Sequence, residues 1–303
     1  MAILVVGSVA LDSVATPFGK AQDALGGSAT YFSTAASFFT DVRLVAVVGE
    51  DFPQAHVDFL QSRRVDLRGL QRVKGRTFRW AGEYGFDLNQ AHTLDTQLNV
   101  FAQFRPQIPD AYRDSEVVFL ANIDPDLQRE VLLQVRAPRL VAADTMNFWI
   151  EGKREALLKT LKQVEVLIIN DAETRQLAQD ANLVRAARTI SAWGPHTLVI
   201  KRGEYGALCY RHGAWFSAPA LPMDGVLDPT GAGDCFAGGF LGYLANTLNF
   251  SDENIRRAVV MGSVMASFNV EAFSLDRLRT LAYPEIAERY GAFRRLTHFD
   301  ALD

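Results

Sequence analysis

The stretch VLDPTGAGDCFAGGF, residues 226–240, joins a proline turn to Gly-Ala-Gly-Asp and then to an apolar segment of helical character. Asp228 and Thr230 are residue types that cap the start of a helix, and the proline between them stiffens the entry. Gly231 and Gly233 carry no side chain that could obstruct their backbone N–H groups. Such groups, at the positive end of a helix dipole, receive phosphate oxygens or a developing oxyanion. The stretch therefore predicts an anion-binding active site at a helix start.

Asp234 falls in the first turn of this predicted helix. The helix dipole stabilises a carboxylate there, so we expect a lowered pKa and an ionised side chain at neutral pH. Such a weak base suits phosphoryl transfer, because the transition state is loose and the hydroxyl proton need only be accepted as the new bond forms. For a lone Gly-x-Gly-Asp, the alternative is that the aspartate only caps the helix and the glycines only turn the chain.

Residues 228–240, DPTGAGDCFAGGF, closely resemble the C-terminal signature of the ribokinase-like carbohydrate kinases, also called the PfkB family. The resemblance implies that Asp234 is the catalytic base, which receives the proton of the acceptor hydroxyl. It also implies that the amides of Gly231, Ala232 and Gly233 form the anion hole. The fold implied is an α/β, three-layer αβα domain with a central, mostly parallel sheet and a small β lid.

Length and composition are those of one large α/β domain, which we predict to span residues 1–303. A hydrophobic content of 49% supplies a full core. The formal net charge of −4 and the pI near 5.8 argue against a nucleic-acid or anionic-membrane partner. No apolar run approaches ~18 residues. No basic leader precedes the strand-like residues 2–7, so we expect a cytoplasmic protein.

The two cysteines, Cys209 and Cys235, lie far apart in sequence and lack zinc-type spacing. We expect both to be reduced and structural. Cys235 has a second interpretation as an activated nucleophile, since it falls at a helix start. A cysteine hydrolase needs a histidine to activate the thiol. None of the five histidines lies in a motif typical of such a catalytic partner.

The first residues of the chain resemble the acceptor-binding part of the same family. Residues 3–7 are predicted to form a buried strand, which leads into Gly-Ser-x-x-x-Asp ending at Asp12. The resemblance implies that Asp12 binds substrate hydroxyls. From the spacing alone, a turn or cap aspartate is an equal alternative. Gly26 and Gly27 follow, and in the family this pair lets the lid bend as substrate binds.

Tyr31 stands where ribose- and ketose-type members of the family usually have an asparagine. Asparagine offers a donor and an acceptor to paired sugar hydroxyls, whereas tyrosine offers one hydroxyl and a large apolar face. We therefore expect Tyr31 to make the acceptor pocket flatter and more apolar. The expected acceptor is a nucleoside or cyclic polyol rather than free ribose or fructose.

Residues 67–104 change to short alternating stretches with little helical periodicity, which predicts the small β lid. Within it, Arg79 either reaches the acceptor or covers the sheet, and we assign it to the acceptor site. The resemblance also leads us to expect a homodimer formed through the lid.

From Val117 onward, predicted strands and helices alternate, which indicates a parallel sheet with helices on both faces. Ligands bind at the carboxyl ends of such strands, so the polar residues at these ends are of interest: Asn122, Asp144, Asn147 and Asn170. Asn170-Asp-Ala-Glu173 matches the family motif Asn-x-x-Glu. The resemblance implies that Glu173 positions Mg²⁺ through water and that Asn170 lies at the nucleotide. Helix capping is the alternative for both residues.

The remaining nucleotide-binding residues are implied by a second glycine turn and by the signature. Lys201-Arg-Gly203-Glu-Tyr-Gly206 resembles the family's turn beside the phosphates and ribose of ATP. We assign Lys201, Gly203, Gly206 and Thr230 to nucleotide binding. ATP and Mg²⁺ are the implied cofactors. Activation by a monovalent cation such as K⁺ is common in the family.

Together these residues predict a kinase that transfers the γ-phosphoryl group of ATP to a hydroxyl of a sugar, nucleoside or related polyol. A Walker A loop, a protein-kinase His-Arg-Asp loop, a Gly-x-Ser-x-Gly elbow and a His-Glu-x-x-His zinc site are absent from the sequence. Two other classes stay open. A non-catalytic small-molecule sensor on the same fold would have no need of Asp234. A nicotinamide oxidoreductase would need the Gly-x-Gly-x-x-Gly fingerprint, which does not follow the first strand.

Overall fold

The structure is a computed structural model of the chain and describes residues 2–300. Met1 and residues 301–303, which the predicted domain 1–303 includes, lie outside the described residues. Within residues 2–300 the strands are β1 Ala2–Val6, β2 Ala10–Thr16, β3 Gly19–Gly26, β4 Asp41–Gly49, β5 Val65–Val73, β6 Phe78–Tyr84, β7 Ala91–Gln97, β8 Val117–Leu120, β9 Leu140–Asp144, β10 Val166–Asn170, β11 Thr197–Lys201, β12 Ala207–Arg211 and β13 Ala214–Ala218.

The α-helices are α1 Ser28–Ala36, α2 Gln54–Ser62, α3 Pro125–Leu132, α4 Asn147–Gly152, α5 Arg154–Leu161, α6 Asp171–Ala178, α7 Leu183–Ser191, α8 Ala232–Thr247, α9 Asp252–Asn269, α10 Asp276–Thr280 and α11 Tyr283–Leu296. Short 3₁₀ turns at Asn99–Gln103, Asp110–Tyr112 and Gly203–Tyr205 complete the regular structure. Of the helices in this described part of the chain, none combines the length and apolar character that a membrane crossing requires.

A nine-stranded sheet forms the centre of the molecule, in the order β13-β12-β11-β10-β9-β8-β1-β4-β5. The seven strands from β11 to β5 run parallel, and β12 and β13 extend the edge in antiparallel fashion. In β1, Ile3 and Val5 pack into one core cluster with α1, α8 and α9. Leu4 and Val6 pack into a second cluster on the opposite face, with α3. The predicted three-layer αβα fold is therefore confirmed, because alternate side chains of a strand cover opposite faces.

The small sheet has the order β3-β2-β6-β7 and is mixed, since β2 and β6 run parallel while the outer pairs are antiparallel. The predicted lid, residues 67–104, covers only part of it. Residues 67–73 belong instead to β5, which pairs with β4 at the edge of the large sheet. The prediction missed β2 and β3, which supply half of the small sheet. Edge and half-exposed strands carry mixed polar and apolar residues, so neither boundary stands out in the sequence.

Helix α8 lies unusually close to α1, and two glycines make this approach possible. A Cβ atom at Gly238 would lie 2.5 Å from the carbonyl oxygen of Phe32. A Cβ atom at Gly242 would lie 2.9 Å from the Cα of Ala36. The apolar stretch after the Gly-Ala-Gly-Asp turn is thus held against α1, and this contact sets where the N-terminus of α8 points.

Gly238→Ala should destabilise the protein by about 1–3 kcal/mol, because the new methyl group meets backbone that cannot rotate away. Gly291→Ala is the matched control in another helix, where the nearest atom to a Cβ is a flexible arginine nitrogen, Nη1 of Arg295, at 3.5 Å. This control should gain up to ~1 kcal/mol from helix propensity. Urea unfolding of both variants measures the difference, and equal stabilities would contradict the close-packing argument.

Candidate active site

The turn that enters α8 depends on a glycine in the left-handed region. Gly231 has φ 75° and is the N-cap residue of α8. A Cβ atom at Gly231 would lie 2.4 Å from the ring of Tyr31. Tyr31 is only 2% exposed, and burial raises its pKa well above the usual value. Tyr31 therefore packs against the turn, and its predicted place on the wall of the acceptor pocket stays a prediction.

Asp228 and Thr230 do not cap α8, contrary to the sequence prediction. Asp228 Oδ1 accepts a hydrogen bond from the Thr230 amide at 2.9 Å, and Oδ2 accepts one from the Ser274 amide at 3.2 Å. The carboxylate is thus occupied in closing the turn and tying it to the loop after α9. Among residues 2–300, no side chain caps the N-terminus of α8.

The first amides of α8 are consequently open to a ligand. The Ala232 amide donates to the Pro229 carbonyl at 3.1 Å, so it is occupied within the turn. The amides of Gly231, Gly233 and Asp234 find no acceptor among residues 2–300. Free amides at the positive end of a 16-residue helix are a ready site for an anion. Of the predicted anion-hole amides, those of Gly231 and Gly233 are free and that of Ala232 is occupied. The Asp234 amide is free in its place.

Four charged residues lie together beside these amides, and we call Asp144, Glu173, Lys201 and Asp234 the charge cluster. Asp144 is buried, and the other three are half-buried. The ammonium of Lys201 lies 3.4 Å from Asp144 Oδ2. A Cβ atom at Gly233 would lie 2.9 Å from the same ammonium, so Lys201 rests directly against the start of α8. Burial opposes the charged form of Lys201, yet the three carboxylates hold its pKa above the usual value. Lys201 therefore stays a cation at the anion site.

The pKa of Asp234 is raised to about 7, mainly by burial and then by the neighbouring Asp144, while Lys201 opposes the shift. The predicted lowering of this pKa was wrong, because the loss of hydration and the carboxylates from distant strands outweigh the helix dipole. Burial likewise raises the pKa of Glu173 to about 7 and raises that of Asp144.

Asn170 and Glu173 form a reciprocal capping box at the start of α6. Asn170 Oδ1 accepts from the Glu173 amide at 2.7 Å, and Glu173 Oε2 accepts from the Asn170 amide at 3.1 Å. The capping alternative therefore describes part of what both residues do. No three His, Cys, Asp or Glu side chains in the described part of the chain are arranged to hold a metal ion directly. Glu173 keeps its second carboxylate oxygen for contacts beyond the cap.

The second glycine turn follows β11 next to Lys201. Gly203 has φ 53° and Gly206 has φ 85°. A Cβ atom at Gly206 would lie 2.2 Å from the Ala218 carbonyl oxygen, so the turn is packed tightly against the strand β13. The turn thus lies at the carboxyl end of the sheet on the side of the charge cluster, and its predicted role in nucleotide binding stays a prediction.

Asp12 lies on β2, only 6% exposed, and is embedded by the double glycine. Its Oδ2 accepts a hydrogen bond from the Gly27 amide at 3.3 Å. A Cβ atom at Gly26 would lie 1.9 Å from that oxygen, and one at Gly27, with φ 93°, would lie 2.6 Å from the Ser8 carbonyl oxygen. Burial raises the pKa of Asp12 to about 7, although the hydrogen bond from the Gly27 amide acts to lower it. The glycine pair is required to seat this carboxylate, and its predicted hinge role stays a prediction.

Arg79 is engaged away from the pocket of Asp12. It forms ion pairs with Asp23 of β3 and, at 3.0 Å, with Asp51 after β4. Asp51 also accepts from the amide and hydroxyl of Thr77, both at 2.7 Å. Arg79 therefore ties the small sheet to the large one, and its predicted assignment to the acceptor site stays a prediction.

The small sheet covers the site through the end of β6 and the loop after it. The hydroxyl of Tyr84 lies 3.4 Å from that of Thr230. The amide nitrogen of Asn89 lies 3.4 Å from a carboxylate oxygen of Glu204, in the second glycine turn. Burial, with the nearby carboxylates, raises the pKa of Tyr84 to about 12, so the phenol stays protonated. Neither contact stands out in the sequence, because the partners are more than a hundred residues apart.

Cys235 is buried below the turn. Its Sγ lies 3.2 Å from Asn269 Oδ1, and burial, reinforced by Asp234, raises the pKa of the thiol well above the usual value. A nucleophilic cysteine needs the opposite shift. Both Cys235 and Cys209 are buried free thiols, as their spacing predicts.

Comparison with known proteins places this geometry in a family. Residues 4–278 match the model of the pfkB family carbohydrate kinases. The chain is 32% identical over 247 residues to a cytidine kinase of Thermococcus kodakarensis, which covers 79% of this chain and 87% of that protein. Its fold resembles Burkholderia thailandensis nucleoside kinase solved with inosine, with 18% identity, a TM-score of 0.78, and 96% and 97% of the two chains covered.

A second solved structure with the same fold comes from E. coli. It is assigned as a ribokinase II and was solved with ATP and Mg²⁺; the identity is 17%, the TM-score 0.78, and the coverage 97% of this chain and 99% of that one. The resemblance first drawn from residues 228–240 is confirmed over nearly the whole chain. The chain belongs to the PfkB family of carbohydrate kinases.

Proposed function

We propose that this protein is an ATP-dependent kinase that phosphorylates a hydroxyl group of a nucleoside, with Asp234 as the general base. The observation that carries the proposal is the N-terminus of α8. There the half-buried carboxylate of Asp234, with a pKa of about 7, adjoins free amides and the ammonium of Lys201. Phosphoryl transfer needs an anion-binding site next to a proton acceptor. A site that only binds a ligand seldom needs both.

Asp234 accepts the proton of the acceptor hydroxyl as the new bond to phosphorus forms. A base with a pKa near the working pH is both unprotonated often enough and basic enough to take a proton. The raised pKa therefore makes Asp234 a better base than the helix-dipole argument alone suggests. The same feature argues against the sensor alternative, because a protein that only binds its ligand has no need of a carboxylate with a raised pKa at this position.

The phosphate side of the site is formed by three amides and one ammonium. The amides of Gly231, Gly233 and Asp234, with Lys201, fit the charge on the transferring group. Thr230 and the turn of Gly203 and Gly206 complete the proposed nucleotide side. Glu173 is the residue that would hold Mg²⁺ through water, and the ion would supply charge neutralisation between the phosphates.

The acceptor side is centred on Asp12, whose carboxylate is seated by Gly26 and Gly27. A buried carboxylate suits a pair of vicinal hydroxyls, which donate to its two oxygens. Tyr31 packs against Gly231, so the choice of acceptor does not rest on it. The support for a nucleoside comes from the cytidine kinase relative and from the half-buried Tyr84, whose hydroxyl lies 3.4 Å from that of Thr230. A cyclic polyol or sugar is the competing acceptor.

Two further features of the family stay proposals for this chain. Asp228 is 1% exposed and bonds only to backbone amides and turn atoms, so a bound K⁺ near the loop of Ser274 would balance its charge. Every residue of β7 is exposed, which leaves that edge of the small sheet open to the expected homodimer contact.

Asp234→Asn should lower kcat by ~10²–10⁴-fold while the KM for ATP stays within a few-fold, because the change removes the proton acceptor and keeps the shape. In the wild type, kcat/KM should fall as the pH drops below about 7, where Asp234 gains a proton. Steady-state ADP release across pH 5–9 measures both effects. Asp224→Asn, an exposed aspartate in the loop before the turn, is the control. Retention of more than half the activity in Asp234→Asn would remove the base assignment.

The same substitution should stabilise the fold at pH 8. A carboxyl group whose folded pKa is raised binds protons more tightly when folded, so its contribution to stability falls as the pH rises from about 4 to about 7. Asp234→Asn escapes this loss and should unfold at least ~2 °C higher than the wild type at pH 8. The advantage should vanish at pH 4. A lower melting temperature at pH 8 would mean that the pairing with Lys201 outweighs the repulsion in the charge cluster.

A panel of acceptors tests the proposed class. The kcat/KM determined from ADP release should be highest for a nucleoside such as cytidine or inosine. It should be lower for myo-inositol, ribose and fructose. Asp12→Ala should raise the KM for the best acceptor by ~10–100-fold, since hydroxyls lose a charged partner, with the KM for ATP unchanged. A higher kcat/KM for ribose or fructose than for every nucleoside would refute the nucleoside assignment. Nucleoside binding without turnover would favour the sensor.

A further inference from the structure

The carboxyl end of β8 carries a polar residue that the proposed reaction does not yet use. Asn122 follows directly on Ala121, whose amide donates to the Val6 carbonyl at 3.0 Å. A Cβ atom at Gly7 would lie 2.7 Å from the Cβ of Ala121. Asn122 is therefore next to the point where the chain leaves β1 toward Asp12. On its other side β8 pairs with β9, which ends at Asp144 of the charge cluster.

The orientation of the Asn122 amide is set by Trp149 of α4. The indole Nε1 donates to Asn122 Oδ1 at 2.9 Å. An indole N–H can only donate, so the carbonyl of the amide must face it and the amino group must face the other way. The amino group meets the Met146 sulfur at 3.0 Å, and a thioether is a weak acceptor. Asn122 is thus a half-buried donor whose present partner is a poor one.

The surrounding chain holds this donor in place. The side-chain nitrogen of Gln128, a buried residue of α3, donates to the carbonyls of Leu120, Ala121 and Asp144 at 3.1–3.2 Å. This nitrogen therefore joins the ends of β8 and β9. Lys153, at the junction of α4 and α5, pairs with Asp124 at 2.6 Å and with Asp126 at 3.0 Å. The helix that carries Trp149 is thereby fixed to the start of α3.

Aromatic surface adjoins the donor. Phe148 is 61% exposed and meets Trp149 edge to face, with ring centroids 4.8 Å apart. A single oriented donor beside flat apolar rings suits a planar heterocycle, which offers lone pairs at its rim and an apolar face. A sugar or cyclic polyol offers hydroxyls all round and would not need this arrangement.

We infer that Asn122, oriented by Trp149, selects the acceptor by donating a hydrogen bond from Nδ2 to a carbonyl oxygen or unprotonated ring nitrogen of the nucleobase. The inference rests on the proposed function and adds the residue that recognises the base. Asp12 then binds the sugar hydroxyls, Asp234 takes the proton of the reacting hydroxyl, and Asn122 reads the remaining part of the substrate. The bond displaces the weak contact with Met146, so little is lost when the substrate enters.

Asn122→Asp tests the inference, because it keeps the size of the side chain and replaces the donating amino group by an oxygen. The kcat/KM for the best nucleoside should fall ~10–100-fold, mainly through KM, while the KM for ATP stays unchanged. The decisive comparison uses methyl β-D-riboside, which has the sugar but no base. Its kcat/KM should change less than 3-fold between the wild type and Asn122→Asp.

Two variants accompany this measurement. Trp149→Phe keeps the ring but frees the amide to rotate, and should give a smaller loss with the nucleoside and none with the riboside. Asn246→Asp makes the same chemical change at an exposed position near the C-terminal end of α8 and should leave both acceptors unaffected. Thermal unfolding checks that each variant is folded, and Trp149→Phe carries the test if Asn122→Asp is not.

An equal loss with nucleoside and riboside, or no loss with either, would overturn the role of Asn122 even though the wild type remains a nucleoside kinase. A wild type that prefers riboside, ribose or inositol to every nucleoside would instead overturn the proposed acceptor. The two failures are therefore distinguishable in the same set of assays. A loss confined to the nucleoside supports both.

Discussion

Three carboxylates and one ammonium meet where β9, β10 and β11 end against the first turn of α8. Asp144, Glu173 and Asp234 cannot all be fully charged around Lys201 without a large loss of hydration. The structure accommodates them by raising the carboxyl pKa values toward neutrality and by bringing the ammonium against Gly233. Under the proposed function, this concentration of like charge gives Asp234 a pKa suited to a general base.

The rest of the fold holds that cluster in place. Parallel strands bring the cluster members to one edge of the large sheet, although they lie between residues 144 and 234 in sequence. Helix α8 is aimed at the same edge by its contact with α1, which Gly238 and Gly242 allow. The small sheet then covers the opposite side. Its ties to the large sheet run through Arg79 and Asp51, and Tyr84 reaches Thr230.

Local patterns predicted much of this arrangement. The Gly-Ala-Gly-Asp turn, the capping pair Asn170 and Glu173, and the alternation of strands and helices each depend on residues a few positions apart. The small sheet was predicted only in part, because β2 and β3 are partly exposed strands without a distinctive period, and β5 is an exposed edge strand. The closeness of Asp144 to Lys201 was likewise invisible, although Asp144 stood out as a polar strand end.

From the amino-acid sequence alone it follows that the chain is a kinase-like α/β protein with an anion-binding turn and a carboxylate at residue 234. These features arise from backbone freedom at glycine and from hydrogen bonds within one or two turns of chain, which the order of residues specifies directly. The pKa of Asp234, the packing role of Tyr31 and the ion pairs of Arg79 came from the folded molecule. Each depends on burial and on Coulomb interactions between residues distant in sequence, and those quantities exist only once the sheets and helices have packed.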